Sequence, residues 1–317
     1  MARKEIGVLL LLAVLCAIVA AASPQFLSVT NLQNVGRLVG TYGIFSIGVG
    51  IVIITGGIDL SVGSICALLG VLLSMMLVDW HWPPALALAA ALATGASLGA
   101  IHGVLVTRLR LQPFIVTLCG LLLYRGAARY IARDSTKGFG TGEGFAWLRA
   151  AASGSVGGIP MPFVIMCVVG ALAWLLVHRS VYGRHLFAVG HNEVASRYSG
   201  VRTRAVVAGA YVTSGTLAAV SAIIIAFYTN SISPASHGNF YELYAIAAAV
   251  VGGCSLRGGE GTILGIILGA ALLQVLRNLV NLLDIPGSLD FAVMGAVILI
   301  GAVADHVFGR ARQDTNG

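Results

Sequence analysis

Residues 38–78 read LVGTYGIFSIGVGIVIITGGIDLSVGSICALLGVLLSMMLV, and Asp59 is the one Asp, Glu, Lys or Arg among them. An apolar run lies on each side of a short glycine turn, Gly56-Gly57-Ile58-Asp59-Leu60-Ser61-Val62-Gly63. Each run approaches the ~20 residues that a helix needs to cross a hydrocarbon core of ~30 Å. In lipid every backbone polar group must be paired internally, so such runs read as helices. The stretch therefore predicts two membrane helices joined by a glycine turn that carries a carboxylate.

The pattern extends outward from there. No Asp, Glu, Lys or Arg occurs between Glu5 and Arg37, Asp79 and Arg108, Arg149 and Arg179, or Arg204 and Glu242. Charged residues make up only 10% of the 317, against ~25% in a soluble domain, and 58% are hydrophobic. The mean hydropathy is +0.93. A polar shell for a soluble fold of this size cannot be built from so few polar residues. The expected fold is an all-α polytopic membrane helical bundle, one transmembrane domain over 1–317. It has about ten spans, roughly 6–22, 36–56, 60–78, 85–107, 113–131, 161–178, 205–228, 241–254, 261–282 and 290–308. The fifth, eighth and tenth have the shortest charge-free cores. The N-terminal run, after Arg3 and Lys4, is longer than a usual signal-peptide apolar region and reads as the first span.

Loop charge orients the bundle. Ten spans with the N-terminus inside put 1–5, 108–112, 179–204, 255–260 and 309–317 in the cytoplasm. Those segments hold twelve of the 19 basic residues, and the opposite loops hold Arg133, Lys137 and Arg149. The bias favours both termini inside. The net charge of +7 is thus read as topology rather than as nucleic-acid binding. Arg125, Arg129 and Arg277 lie near span ends and are expected to snorkel to the outer surface. Two loops are long: an outer one at about 132–160, rich in Gly and Ser, and an inner one at about 179–204.

Several chemistries are excluded or unsupported. A phosphate-binding loop needs Lys after Gly, and neither lysine, Lys4 or Lys137, follows one. The chain therefore has no such ATP site of its own. The histidines form no ligand cluster, and the five cysteines are scattered as apolar filler. Neither a catalytic site nor a bound cofactor or metal is expected. Gly95, Gly99 and Gly103, like Gly261, Gly265 and Gly269, recur every fourth residue, a spacing that lets helix backbones approach in lipid.

Three local motifs remain. Asp59 in the first turn reads as a cap for the following helix, or as part of a hinge or gate beside a translocation path. Its position places it near the cytoplasmic surface. The hinge or gate candidates are Gly56, Gly57, Asp59, Ser61 and Gly63. The second turn, Gly252-Gly253-Cys254-Ser255-Leu256-Arg257-Gly258-Gly259-Glu260-Gly261, repeats the pattern G-G-x-x-L-x-x-G. It adds Gly252, Gly253, Gly258, Gly259 and Gly261, and suggests a parallel internal repeat. Third, Gly190-His191-Asn192-Glu193-Val194-Ala195-Ser196-Arg197-Tyr198-Ser199-Gly200 reads as a short surface helix. Asn192 suits its N-cap, Glu193 its first turn and Gly200 its C-terminal cap. Otherwise it is a solvated basic loop.

At these motifs, and at Tyr241–Gly261, the chain resembles the membrane permease subunits of ABC importers for monosaccharides: the ribose, xylose, arabinose, galactose and autoinducer-2 group. The resemblance runs over nearly the whole chain. It implies a bacterial cytoplasmic (inner) membrane protein that imports a small neutral sugar or polyol by alternating access. ATP hydrolysis would occur on a separate cytoplasmic ATP-binding subunit. The other implied partners are an extracytoplasmic sugar-binding protein and a second permease subunit, identical or not, with membrane lipid around them and no nucleic acid. The 192–200 helix would couple to the ATPase through Gly190, Asn192, Glu193, Ala195, Arg197 and Gly200. Family members often read Tyr-Glu-Leu-Asp-Ala-Ile-Ala where this chain has Tyr241-Glu242-Leu243-Tyr244-Ala245-Ile246-Ala247. Glu242 and Tyr244 are the residues expected on the substrate path, with other polar and aromatic residues of the second, seventh and eighth spans. The alternative is a stand-alone secondary transporter or channel for a small polar solute. A membrane enzyme or receptor ranks last.

Overall fold

The structure is a computed structural model that describes residues 2–140 and 144–284, with isolated positions between 289 and 299. The expected tenth span, 290–308, and the segment 309–317 lie outside the described residues.

The first helix, α1 (Ala2–Ala22), lies largely exposed on the bundle. A short turn at Pro24–Leu27 leads to α2 (Val29–Ile54), whose N-cap Ser28 accepts the Asn31 amide. The turn 55–61 follows, then α3 (Val62–Ser74), continued by a π-helical turn to Asp79. Next come α4 (Pro84–Thr107) and α5 (Pro113–Ala132), each with proline in its first turn, where the missing N–H costs nothing. A short α6 (Ala146–Ser153) precedes α7 (Met161–Trp174), which runs on to Arg179. The long loop at 179–204 folds into α8 (Val181–His191) and α9 (Glu193–Tyr198). Last come α10 (Thr203–Thr229), α11 (Tyr241–Val251) and α12 (Ile263–Leu282).

Eight of these helices are long and apolar enough to cross a membrane. The eighth expected span, 241–254, is a correction: α11 has 11 residues, about 16 Å at 1.5 Å per residue. That is half of a ~30 Å core. Gly252 and Gly253 stop the helix; Gly253 adopts φ +93°, a conformation that side chains disfavour.

Helix α2 is buried along most of its length and forms the centre of the bundle. Helix α10 packs on it and against α4. The glycines spaced by four explain how closely. A Cβ on Gly95 would meet the Gly215 carbonyl, one on Gly99 that of Tyr211, and one on Gly103 the backbone of Ala208. On α12, Gly265 and Gly269 likewise abut the backbone of α11 at Gly252 and Ala248. The packing role expected of both stripes holds.

The bundle has two distinct ends. At one, β1 (Lys137–Gly138) pairs antiparallel with β4 (Ser231–Ile232), and Lys137 bridges Asp79 at 3.1 Å. At the other, the ends of α2, α8 and the 252–261 turn converge.

Candidate functional site

The convergence point is built from backbone. The Gly259 amide donates to the Ile54 carbonyl at 2.8 Å, which joins the second glycine turn to the end of α2. Gly190, one residue before the end of α8, lies over that bond: a Cβ there would strike Ile54 O and Gly259 N. Gly258, at φ +85°, faces the backbone of Gly56, at φ +81°, and also the Gly190 carbonyl. The two sequence-related turns thus touch each other and share α8 as a third partner. Their conformations differ. Within the leading Gly-Gly pair the left-handed residue is the first glycine in one (Gly56) and the second in the other (Gly253). The second turn adds Gly258, Gly259 and Gly261 at positive φ, and the following helices start at Val62 and Ile263.

Beyond Gly190 the chain forms the short helix expected from its caps. Asn192 accepts the Ala195 amide at 2.9 Å. Glu193 pairs with Arg197 at 2.6 Å and accepts from Thr203 Oγ1 at 3.2 Å. Gly200 takes φ +83°. Val194 and Tyr198 (89% exposed) project outward.

The Asp59 position is a correction. Its carboxylate is 1% exposed. Ser214 Oγ donates to it at 2.7 Å, and Ser214 lies eleven residues into α10, about 17 Å from that helix's start. The segment 55–61 therefore turns back into the bundle, and α3 begins deep inside it. The cap reading survives in modified form. The Ser61 amide, at the N-cap of α3, donates to Asp59 Oδ1 at 3.0 Å, and Ser61 Oγ does so at 2.6 Å. Tyr211 and Thr117 hold the segment through the Ile58 carbonyl, at 3.2 and 3.4 Å.

The start of α11 meets the start of α3. Gly63 packs against the Gly238 backbone, and a Cβ on it would approach Glu242 Oε2 to 2.5 Å. Glu242 is in the first turn of α11 and 6% exposed. Two helix N-termini, each bearing partial positive charge, are thus faced by two carboxylates, Asp59 and Glu242. Arg125 holds the connection before α11, donating to the carbonyls of Pro234 (2.8 Å) and His237 (2.6 Å). In that connection the Ser233 amide donates to His237 Nδ1 at 2.9 Å. Burial, and the Arg125 guanidinium after it, hold the His237 imidazole below its ordinary value.

The same helix carries the departure at 244. Tyr244 packs edge-on against Tyr42 at 5.7 Å, and Tyr241 contacts both Tyr42 and Phe45. Arg277 lies over the Tyr244 ring at 5.3 Å and donates to the Tyr42 hydroxyl at 3.3 Å. Of the three arginines expected to snorkel, Arg129 pairs with exposed Asp134, while Arg125 and Arg277 bond within the bundle. Arg125 and Arg277 are structural members of the bundle.

Tyr42 and Ser214 fall among the polar and aromatic residues of the second and seventh spans expected on the substrate path, whereas nothing in the sequence points to His102 or Tyr124 as neighbours of these motifs. Their only sequence signal is that they are polar or aromatic positions within apolar helices.

Over residues 31–302 the chain matches the family described as branched-chain amino acid transport system / permease component, and it belongs to that family. Among curated relatives, it is 39% identical to the ribose import permease protein RbsC of Escherichia coli K12, over 94% of this chain and 92% of the relative. It is 37% identical to RbsC of Bacillus subtilis (96% and 93%) and 30% identical to the D-allose transport system permease protein AlsC of E. coli (96% and 92%). No solved structure matches.

Proposed function

We propose that the chain is the membrane-spanning permease subunit of an ABC sugar importer in the bacterial inner membrane, carrying a small neutral sugar or polyol of the ribose or allose kind. The names of the relatives support the substrate class, and the absence of a phosphate-binding lysine supports a separate ATPase. A second permease subunit and an extracytoplasmic sugar-binding protein would complete the assembly. The convergence at Gly190 carries the mechanical reading. Helix 193–198 is the outward extension of α8, and α8 ends on both glycine turns. A push on the exposed Val194–Tyr198 face by the ATP-binding subunit would pass through Gly190 to Gly56 and Gly258–Gly259. Those turns set the positions of α3 and α12. Glu242, Tyr244, Tyr42 and Tyr241 gather carboxylate, phenol and ring faces, the groups that bind sugar hydroxyls and C–H faces, where two helices start inside the bundle. They are the proposed path.

The test is uptake of radiolabelled D-ribose by cells carrying the complete transporter. Ala195→Asp should abolish uptake with the protein still in the membrane; normal uptake would remove the coupling role. The rival reading, an ion-coupled transporter, would use an acidic residue inside the bundle. Asp59 and Glu242 are the buried acidic residues among the described ones, and the Asp59 carboxylate is already engaged by Ser61 and Ser214.

A further inference from the structure

We infer that His102 is a positioning residue for the segment 55–61: a neutral imidazole, protonated on Nδ1, that holds the ionised carboxylate of Asp59 through Ser61. The chain of contacts runs across three helices. Tyr124 of α5 lies 2.9 Å from His102 Nε2 in α4. His102 Nδ1 lies 3.4 Å from Ser61 Oγ. Ser61 Oγ lies 2.6 Å from Asp59 Oδ1. All but Tyr124 are almost completely buried.

Donor counting fixes the direction. An ionised carboxylate only accepts, so Ser61 and Ser214 each spend their one hydroxyl proton on Asp59. Ser61 Oγ can then only accept from His102, so the imidazole proton is on Nδ1. Nε2 is left with a lone pair, which the Tyr124 hydroxyl fills as donor. The Ser61 amide, at the N-terminus of α3, also donates to Asp59 Oδ1. Were Asp59 protonated on Oδ1 and donating to Ser61, the links from Ser61 to His102 and from His102 to Tyr124 would reverse, and His102 would carry its proton on Nε2. The tautomer of His102 therefore reports which way the bond between Ser61 and Asp59 runs. The other groups that face this segment are Tyr211 and Thr117, whose hydroxyls donate to Ile58 O, and Glu242 over Gly63.

The 3.4 Å link is the longest of the chain and so the one a variant breaks first. Asn at 102 places its amide nitrogen on Cγ, where His carries Nδ1, and keeps a donor for Ser61. Gln places its amide further out, in the position of Nε2, and loses that donor.

The test has two arms. The first uses the full chain in lipid, labelled with 15N-histidine, with the His102 signals identified by their loss in His102→Asn. A protonated nitrogen at Nδ1 and an unprotonated one at Nε2 near neutral pH are expected. Protonation at Nε2 alone, or at both nitrogens, overturns the proposal. The second rests on the transport reading. For D-ribose uptake by the complete transporter, His102→Asn should stay within about threefold of the native chain, and His102→Gln should fall at least about tenfold. Equal losses in both, with Asn and Gln variants equally abundant, would remove the positioning role. If ribose is not the cargo, neither variant reads out, and the tautomer alone decides.

Discussion

Gly190 stands over the hydrogen bond that joins Gly259 to Ile54, so that no side chain fits between α8 and the two glycine turns. This contact links the exposed helix at 193–198 to the two places where the bundle's backbone breaks. It predicts a sharp size limit. Gly190→Val must displace backbone rather than a flexible side chain, at a cost of ~1–3 kcal/mol. Uptake of D-ribose should drop by at least about tenfold, while Gly7→Val, at a glycine with open space around it, should leave uptake unchanged.

Ser214 tests the placement of Asp59 inside the bundle. Hydrogen bonds to charged groups contribute ~1.5–3 kcal/mol. Ser214→Ala should therefore lower the melting temperature of the detergent-solubilised protein by several degrees, and Ser97→Ala should not. Ser97 is exposed and bonds only to its own helix at Ala93 O. An unchanged melting temperature for Ser214→Ala would return Asp59 to the surface position that its sequence context suggested.

How far the sequence reached can be judged from these two sites. The spacing of Gly95, Gly99 and Gly103 gave a packing stripe because one periodicity on one helix suffices for it. The caps of helix 193–198 were equally local: Asn192, Glu193 and Gly200 act within a few residues of each other. Asp59 was misplaced in depth because hydropathy marks where an apolar run stops and says nothing of whether the chain then turns back inward. Its Ser214 partner is 155 residues away. Arg125 and Arg277 were misread for the same reason. Snorkelling is the default for an arginine near a span end, and only the fold supplies the Pro234 and His237 carbonyls or the Tyr42–Tyr244 pair.

Tyr244 stands where the family resemblance implies an Asp, and its contact with Arg277 says what must be kept. A buried cation–π contact contributes ~2 kcal/mol. Tyr244→Phe keeps a ring under the guanidinium and should retain uptake within about threefold. Tyr244→Leu should lose at least about tenfold. Equal effects of the two would mean that the ring contact with Arg277 is immaterial.

The connection before α11 should respond to acid. His237 has its folded value depressed by burial, so the folded protein binds its proton less readily than the unfolded chain does. Stability from this group is complete above its ordinary value of 6.5, and is lost as pH falls below it toward the folded value. Protonation would also remove the Nδ1 acceptor from the Ser233 amide. Relative to the intrinsic amide rate, which itself slows in acid, hydrogen exchange over 231–240 should gain speed in the native chain as pH falls below about 6.5. In His237→Asn that acid-dependent change should disappear.

The central claim is that this chain moves sugar only when an ATP-binding subunit drives it. The direct measurement is accumulation of radiolabelled D-ribose in proteoliposomes. One set holds the chain with its ATP-binding subunit and sugar-binding protein, and the other holds the chain alone under an imposed proton or sodium gradient. ATP-dependent accumulation in the first set, with none in the second, is the predicted result. Gradient-driven accumulation by the chain alone would contradict it.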